Sequence, residues 1–342
     1  MNNNTQIGNL GEIELIKLIE DLVSEKTGKD LLREDSFFFD LKKKKSENNI
    51  ILNSDMLVST TDVPPQMTSY QIGRKSVIMN ISDLIVKGVK PRGIIISLGL
   101  PRELRRNDFI NLITGIIDCC IKFELDYIGG DINETKEIVI NPTVFGFKRT
   151  SSVIYRKGLK NGDLLIANNK FGLTGVGFDI LLNKNADITL FSSYERSILS
   201  VLEPVLSGNE AFILSKNNLA TSSIDSSDGL TKSLLDLMLS NPNYGFEIDF
   251  NENLIDDEAL SYSKEFNVPL EALVFNGGEE FIHLFTINPK RFEFAQKLIN
   301  DGGGQIYKIG KVTSGEKIYF LKENKKFELK SRGFEHFRSL LT

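Results

Sequence analysis

The sequence predicts a mixed α/β protein built from two domains. Its 342 residues exceed the roughly 150 residues that are usual for one domain. Apolar residues make up 41% and charged residues 25% of the chain, which is the balance of an ordinary globular protein. Segments with strand patterns and segments with helix patterns occur in both halves, and this favours mixed sheets packed against helices.

The first half is predicted to form a domain from residue 1 to residue 149. Helices are expected where apolar residues recur at helical spacing, in residues 12–23, 70–88 and 107–123. Strands are expected where short apolar runs end at turn residues, in residues 50–55, 58–63, 93–100 and 138–148. The basic tract 42–45 is interpreted as a solvated hairpin loop in preference to a phosphate site, because polar turn residues follow it.

The second half is predicted to form a domain from residue 150 to residue 342, beginning with a Gly- and Lys-containing connection at 150–163. Its expected strands are residues 164–167, 245–249, 281–286, 305–312 and 317–321. Its expected helices are residues 178–182, 194–206, 230–239 and 289–299.

The composition excludes several classes of function. Forty-one basic and 46 acidic residues give a net charge of −5, which disfavours a general nucleic-acid binder. No apolar run approaches a membrane span, and the first residues lack the apolar core of a secretion signal. Adjacent Cys119 and Cys120 exclude a disulfide framework, so we expect a reducing, cytoplasmic location. Two histidines exclude a His/Cys zinc site and disfavour histidine-driven nucleophilic catalysis.

Acidic residues stand at the ends of apolar segments or inside them, most of them beside Gly or Ser. They are Asp55, Asp83, Asp131, Asp225, Asp228, Glu279 and Glu280. A carboxylate is costly to bury unless it is paired, hydrogen-bonded or bound to a metal. Asp83 lies inside an apolar helical segment and therefore needs a partner. Mg²⁺ prefers oxygen ligands and is usually held by a few carboxylates and substrate phosphates, so the pattern points to nucleotide chemistry.

Taken singly, these signals have simpler interpretations. Asp131 alone is a turn residue, and Asp228 alone is an N-cap of the following helix. Arg156 is explained equally well as a phosphate clamp and as a surface salt bridge. The glycines from Gly172 to Gly177 loosely resemble a phosphate loop, but we favour a tight turn with close packing. A P-loop motif is absent from the sequence, which excludes a P-loop kinase.

Eight short motifs follow one another along most of the chain. They are residues 11–12, 53–58, 79–88, 129–131, 156–163, 224–230, 277–281 and 333–337. Their residues, order and spacing are similar to the signature of the thiamine-monophosphate kinase family, whose superfamily also contains aminoimidazole ribonucleotide synthetase and selenophosphate synthetase. The chain departs from that signature at residues 33–36, where the glycine is missing, and at Glu280, which replaces Asp. Asp62 stands where some relatives have His.

The resemblance implies a two-domain fold like that of aminoimidazole ribonucleotide synthetase, in a homodimer whose N-terminal sheets form a joint barrel. It implies phosphorylation of thiamine monophosphate by ATP, the last step of thiamine diphosphate biosynthesis, with no dedicated catalytic residue. The implied Mg²⁺ ligands are Asp35, Asn53, Ser54, Asp55, Asp83, Asp131, Asp225 and Asp228. The implied ATP contacts are Gly130, Asp131, Arg156 and Ser227. The implied substrate contacts are Asp62, Glu279 and Phe334, with Phe334 packing on the thiamine ring.

This constellation suits the expected reaction, because the attacking phosphate oxygen is already anionic and needs no strong base. Phosphoryl transfer is catalysed mainly by positioning and by charge stabilisation. Two alternatives stay open. One is another ATP-dependent synthetase of the same superfamily, although the cysteine expected of two of its members is lacking near the N-terminus and at the C-terminus. The other is a non-catalytic nucleotide-binding regulator, which the altered 33–36 turn would favour.

Overall fold

The computed structural model describes residues 37–40, 48–184 and 188–330, together with Lys17, Glu20, Asp21 and Ser24. The last four are helical, and three of them fall in the helix expected at 12–23. Asp35, the 33–36 turn, the basic tract at 42–45 and Phe334 lie outside the described residues.

Among the described residues, the first sheet has six strands. They are β1 (Phe37–Asp40), β2 (Asn48–Asn53), β3 (Leu57–Val58), β4 (Pro91–Leu100), β5 (Asp126–Glu134) and β6 (Val139–Arg149). Their order is β1-β2-β6-β4-β5, and β3 also pairs with β6. All pairs are antiparallel except β4 with β5, which is parallel. β5 therefore lies at one edge of the sheet.

Helices α1 (Ser59–Asp62), α2 (Ser69–Val86) and α3 (Arg106–Lys122) belong to this half. α2 contacts β2, β4 and β6, and it is buried along most of its length. α2 and α3 cross closely, since a Cβ at Gly73 would come within 2.1 Å of the Leu112 carbonyl oxygen. A Cβ at Gly115 would likewise come within 2.0 Å of the Tyr70 carbonyl oxygen. Glycine at both positions allows the contact.

The second sheet has seven strands in the part of the chain that the structure describes. They are β7 (Leu164–Ala167), β8 (Ala220–Ser226), β9 (Tyr244–Asp249), β10 (Ile282–Ile287), β11 (Tyr307–Ser314), β12 (Ile318–Lys322) and β13 (Lys325–Glu328), in the order β13-β12-β9-β11-β7-β10-β8. Its α-helices are α4 (Leu173–Phe178), α5 (Glu195–Leu202), α6 (Asn209–Lys216), α7 (Leu230–Ser240), α8 (Asp257–Phe266), α9 (Leu270–Asn276) and α10 (Phe292–Asp301). This confirms the mixed α/β class.

Along the sequence, the strands of the first sheet precede the connection at 150–163 and those of the second sheet follow it. In space, α2 contacts β8 of the second sheet as well as the first sheet. The domain division at residue 149/150 stays a prediction. Cys119 and Cys120 are both free and buried. Within the described ranges, none of the helices combines the length and the apolar character that crossing a bilayer requires.

The structure corrects the prediction of a strand at 58–63. β3 ends at Val58, and residues 59–62 form the short helix α1. An Asp62 side-chain oxygen accepts a 2.6 Å hydrogen bond from the Val58 backbone N–H, which closes this turn. The Asp62 side chain thus accepts the hydrogen bond of a backbone N–H that would be available to a neighbouring strand if this strand continued.

The strands β1, β5, β8 and β13 and the helices α6, α8 and α9 were not expected from the sequence. β8 is polar, yet most of it is buried. Two of its serine hydroxyl groups have backbone acceptors: Ser222 donates to the Arg156 carbonyl at 2.7 Å and Ser223 to the Ile154 carbonyl at 3.1 Å. Local hydrogen bonding therefore allows a buried strand that apolar patterning does not reveal.

Candidate functional site

Asn53 brings two of the expected metal ligands together. Its side-chain nitrogen lies 2.7 Å from an Asp83 carboxylate oxygen and 3.1 Å from an Asp55 carboxylate oxygen. Asp83 is only 8% exposed in the middle of the buried helix α2, whereas Asn53 and Asp55 are half-buried at the end of β2. The two carboxylates thus meet at one amide, which donates hydrogen bonds but carries no positive charge.

Asn80, which sequence reasoning did not single out, holds this loop in place. Its side-chain oxygen accepts a 2.7 Å hydrogen bond from the Asp55 backbone N–H, and its side-chain nitrogen donates to the Asp55 carbonyl at 3.0 Å. Asn80 is fully buried in α2, three residues before Asp83. The sequence signal that could have identified Asn80 is its position three residues before Asp83 in the same predicted helix.

Asp225 approaches the same region from the second sheet. Ser82, the neighbour of Asp83, donates a 2.9 Å hydrogen bond to Asp225 and lies 3.2 Å from the ring nitrogen Nε2 of His283. His283 of β10 is directly opposite Asp225 of β8 in the strand register. All three side chains are buried. Asp225 of the second sheet therefore contacts the residue that precedes Asp83 on α2.

Ser54 and Asp131 lie on one polar row across the open face of the first sheet. Ser54 donates to the side-chain oxygen of Asn141 at 3.2 Å. Asn141 and Asp131 both stand opposite Ser97, on the two strands that flank β4. Ser54, Ser97, Asn141 and Asp131 are all exposed. The row presents oxygen atoms to solvent.

The Gly129–Asp131 motif lies within strand β5, so the interpretation of Asp131 as a turn residue is wrong. Gly130 adopts a φ of +156°, and a Cβ there would come within 1.7 Å of the Ile96 carbonyl oxygen. Only glycine permits this approach of β5 to β4. The approach sets the position of the neighbouring Asp131.

The loop before β10 is strained on both sides of Glu280. Glu279 has a φ of +59° and Phe281 a φ of +48°, which is a left-handed backbone conformation that residues other than glycine rarely adopt. The backbone N–H of Glu279 donates to Ser227, and that of Phe281 donates to Ser226 at 2.9 Å. Such strain persists where the surrounding structure imposes it, often at functional sites. The strained loop is thereby held against Ser227, an expected ATP contact.

The expected substrate contacts Asp62 and Glu279 are joined by Lys75 of α2, which the sequence analysis missed. The Lys75 ammonium donates to both Glu279 carboxylate oxygens, at 2.6 and 2.7 Å, and to the Asp62 backbone carbonyl. Lys75 is 1% exposed. Burial raises the pKa of Glu279, while the Lys75 charge opposes that rise and the Asp62 charge adds to it.

Arg156 is placed through its backbone. Its carbonyl oxygen accepts hydrogen bonds from Ser222 at 2.7 Å and from the side chain of Asn241 at 2.9 Å. The side-chain oxygen of Asn241 accepts from the N–H groups of Gly158 and Leu159 at 2.8 and 3.1 Å. Asn241 is buried and also donates to Leu237 at the end of α7. This single amide fixes the conformation of the segment that carries Arg156.

The glycines from Gly172 to Gly177 serve close packing, as favoured from the sequence. A Cβ at Gly175 would come within 2.3 Å of the Leu273 carbonyl, and one at Gly177 within 2.2 Å of the Ser197 carbonyl. The N–H of Gly172 donates at 2.7 Å to the carboxylate of Glu280. The first turn of α4 thus already holds an acidic group. Helix α7 begins after Gly229 without a side-chain cap, so the alternative of Asp228 as its N-cap is wrong.

The structure brings Asn53, Asp55 and Asp83 together directly, and Asp225 contacts Ser82, the residue before Asp83. Across residues 48–184 and 188–330, no three acidic, histidine or cysteine side chains come together in a group that could hold a metal ion. Mg²⁺ commonly takes one or two carboxylates and completes its shell with water and phosphate oxygens. The carboxylate oxygen atoms of Asp55 and Asp83 and the side-chain oxygen of Asn53 are donors of the kind that this set uses.

Comparison with known proteins gives a consistent result. Residues 33–147 match the family model described as AIR synthase related protein, N-terminal domain. The thiamine-monophosphate kinase of Nitrosopumilus maritimus is 35% identical over 329 residues, which cover 96% of this chain and 99% of that relative. The thiamine-monophosphate kinase of Pyrococcus horikoshii is 31% identical over 291 residues, covering 84% and 86% of the two chains.

Solved structures share the fold. AaThiL complexed with AMPPCP and TMP superposes with a TM-score of 0.82 at 22% identity, covering 98% of this chain and all of that chain. The hydrogenase maturation protein HypE of E. coli reaches 0.65 at 14% identity, covering 92% and 97%. At these identities, the likeness shows a shared architecture.

Proposed function

The chain belongs to the thiamine-monophosphate kinase family, and we propose that it transfers the γ-phosphoryl group of ATP directly to thiamine monophosphate. An oxygen of the substrate phosphate forms the new bond to phosphorus, the bond to the β–γ bridging oxygen of ATP breaks, and ADP leaves with that electron pair. The product is thiamine diphosphate. The observation that carries this assignment is the meeting of Asp55 and Asp83 at Asn53, with Asp225 of the other sheet bonded to Ser82, the residue before Asp83.

Mg²⁺ is the cofactor we propose. The residues suited to hold it are Asp35, Asn53, Ser54, Asp55, Asp83, Asp131, Asp225 and Asp228. Bound there, Mg²⁺ would neutralise and orient the phosphates of the two substrates. The described carboxylates leave room in the donor set for phosphate oxygens, as expected where the metal is shared with the substrate.

The ATP contacts are proposed to be Gly130, Asp131, Arg156 and Ser227. Ser227 is exposed beside the strained loop, and Gly130 lies on the open face of the first sheet. Arg156 supplies a planar cationic group that matches phosphate geometry. These residues come from both sheets, so nucleotide binding depends on how the sheets are held together.

The thiamine contacts are proposed to be Asp62, Glu279 and Phe334. The thiazolium ring of thiamine is a cation, so a carboxylate and an aromatic face are suitable partners for it. Because the acceptor phosphate is already anionic, the residues at the site are required to bind and align two anions and not to remove a proton.

We also propose a homodimer in which the first sheets of two subunits pair into a barrel. Support comes from the exposed apolar residues of the sheet, which include Ile95, Ile128, Ile132 and Phe147. Apolar surface of this kind on a sheet with a free edge strand indicates an interaction face. Ile132→Glu should convert the dimer into a monomer in sedimentation equilibrium, whereas a wild type that sediments as a monomer would contradict the proposal. We further propose a cytoplasmic location, where ATP is available.

A substrate panel tests the function. Purified protein with ATP and Mg²⁺ is expected to release ADP when thiamine monophosphate is added, and not with aminoimidazole-type or selenide acceptors. Tight ATP binding without ADP release would favour the regulator. ADP release with another acceptor alone would favour a different synthetase of the superfamily.

A further inference from the structure

We propose that Lys75 is a positioning residue that sets the charge and geometry of the thiamine-binding carboxylates, an inference that rests on the proposed function. Lys75 touches neither reacting phosphate in the proposed scheme and acts through Glu279 and Asp62. Its role is to make the site complementary to a substrate ring that carries a single positive charge.

The contacts of Lys75 use the full donor capacity of its ammonium group. An ammonium has three N–H donors, and here they meet the two carboxylate oxygens of Glu279 and the carbonyl oxygen of Asp62. Both carboxylate oxygens of Glu279 are thereby fixed by Lys75, and the backbone of Glu279 is itself in a left-handed conformation. The Glu279 side chain retains 25% exposure, so one side of it stays open to a ligand.

The geometry also ties two separate parts of the fold. Asp62 ends the short helix α1 of the first half, whereas Glu279 precedes β10 of the second sheet. Lys75 lies between them on the buried helix α2. Removing this amine would therefore free the two acidic residues from each other as well as from the helix.

Charge balance gives the arrangement its specificity. Asp62 and Glu279 lie close enough for the Asp62 charge to raise the pKa of Glu279, and Lys75 is the cation between them. Two carboxylates and one ammonium leave one negative charge in excess, which one thiazolium cation neutralises. Without Lys75, Glu279 would be a partly buried, uncompensated charge and would favour its neutral form, which attracts a cation weakly.

The test compares Lys75→Met, the double variant Lys75→Met/Glu279→Gln, and the exposed control Lys90→Met, whose amine pairs only with surface Glu124 in the described contacts. For Lys75→Met, we expect the KM for thiamine monophosphate to rise roughly tenfold or more, with the KM for ATP and kcat changed by less than about twofold. The double variant should recover the thermal stability lost in Lys75→Met and keep the raised KM. The control should match the wild type.

The outcomes separate the proposals. A folded Lys75→Met with an unchanged KM for thiamine monophosphate, or with equal increases in both KM values, would overturn the positioning role. A double variant that fails to fold, or that regains the wild-type KM, would also overturn it. A wild type that forms no thiamine diphosphate would instead contradict the proposed function.

Discussion

The backbone N–H of Gly172 donates a 2.7 Å hydrogen bond to the carboxylate of Glu280, more than one hundred residues further along the chain. This bond places an acidic side chain of the protein itself at the N-terminus of α4. It explains how a glycine-rich segment that loosely resembles a phosphate loop serves instead as a packing element. Burial of its carboxyl group raises the pKa of Glu280 to about 8, although the Gly172 hydrogen bond opposes the rise.

Glu280 should make stability depend on pH. Because its pKa is higher in the folded chain than in the unfolded chain, the folded state binds a proton more tightly between these two values. The free energy of unfolding should therefore fall as the pH rises from about 5 to about 8, by roughly 2 kcal/mol or more relative to Glu280→Gln. Denaturant unfolding across this range measures the difference, with exposed Glu252→Gln as control. Parallel curves for the wild type and Glu280→Gln would contradict the assignment.

Gly130 should tolerate no side chain. Gly130→Ala places a methyl group against the Ile96 carbonyl and should cost at least about 3 kcal/mol of stability. Gly129→Ala is the matched variant, since Gly129 also has a positive φ but has open space around a built Cβ. It should cost only about 1 kcal/mol from backbone strain. Thermal unfolding of the two variants decides the matter, and equal losses would show that close approach is not the constraint.

Asn241 should matter for ATP and not for thiamine monophosphate. Asn241→Ala leaves the N–H groups of Gly158 and Leu159 without their acceptor and should cost about 2–4 kcal/mol of stability. The segment that carries Arg156 then loses its conformation, so the KM for ATP should rise several-fold. The exposed Asn217→Ala, which loses one bond to the carbonyl of Ile213, is the control. An unchanged KM for ATP in a folded Asn241→Ala variant would show that the Asn241 side chain does not affect nucleotide binding.

Asp83 should be essential for turnover and dispensable for folding. Asp83→Ala is expected to lower turnover at saturating Mg²⁺ by at least about a hundredfold, because the charge that would hold the metal is lost. The exposed Asp118→Asn should leave turnover unchanged, although it weakens a hydrogen bond from Tyr70. Circular dichroism checks that the variants fold. Normal steady-state turnover of Asp83→Ala would mean that Asp83 is not a metal ligand.

The sequence supported the fold class, the long helix α2 and most strands, because apolar periodicity reports the burial of regular elements. It did not predict β8, because its serine residues lack the apolar pattern of a buried strand. It also did not predict the turn after Val58 that the Asp62 side chain stabilises. Tertiary hydrogen bonds made these elements, and a single sequence does not display such bonds.

The same limit applies to the candidate site. The acids at segment ends drew attention to Asp55, Asp83 and Asp225. The structure joins Asp55 and Asp83 through Asn53, and it bonds Asp225 to Ser82, the residue before Asp83. Lys75 and Asn241 escaped notice because lysine and asparagine are ordinary surface residues. Only burial, which depends on the whole fold, marks them as positioning residues.

Transfer of an isotopic label tests the central claim most directly. With ATP labelled at its γ-phosphorus, Mg²⁺ and thiamine monophosphate, the label should appear in the terminal phosphate of thiamine diphosphate, in step with ADP and dependent on Mg²⁺. Label found in inorganic phosphate alone, or ADP formed without labelled thiamine diphosphate, would contradict direct phosphoryl transfer at this site.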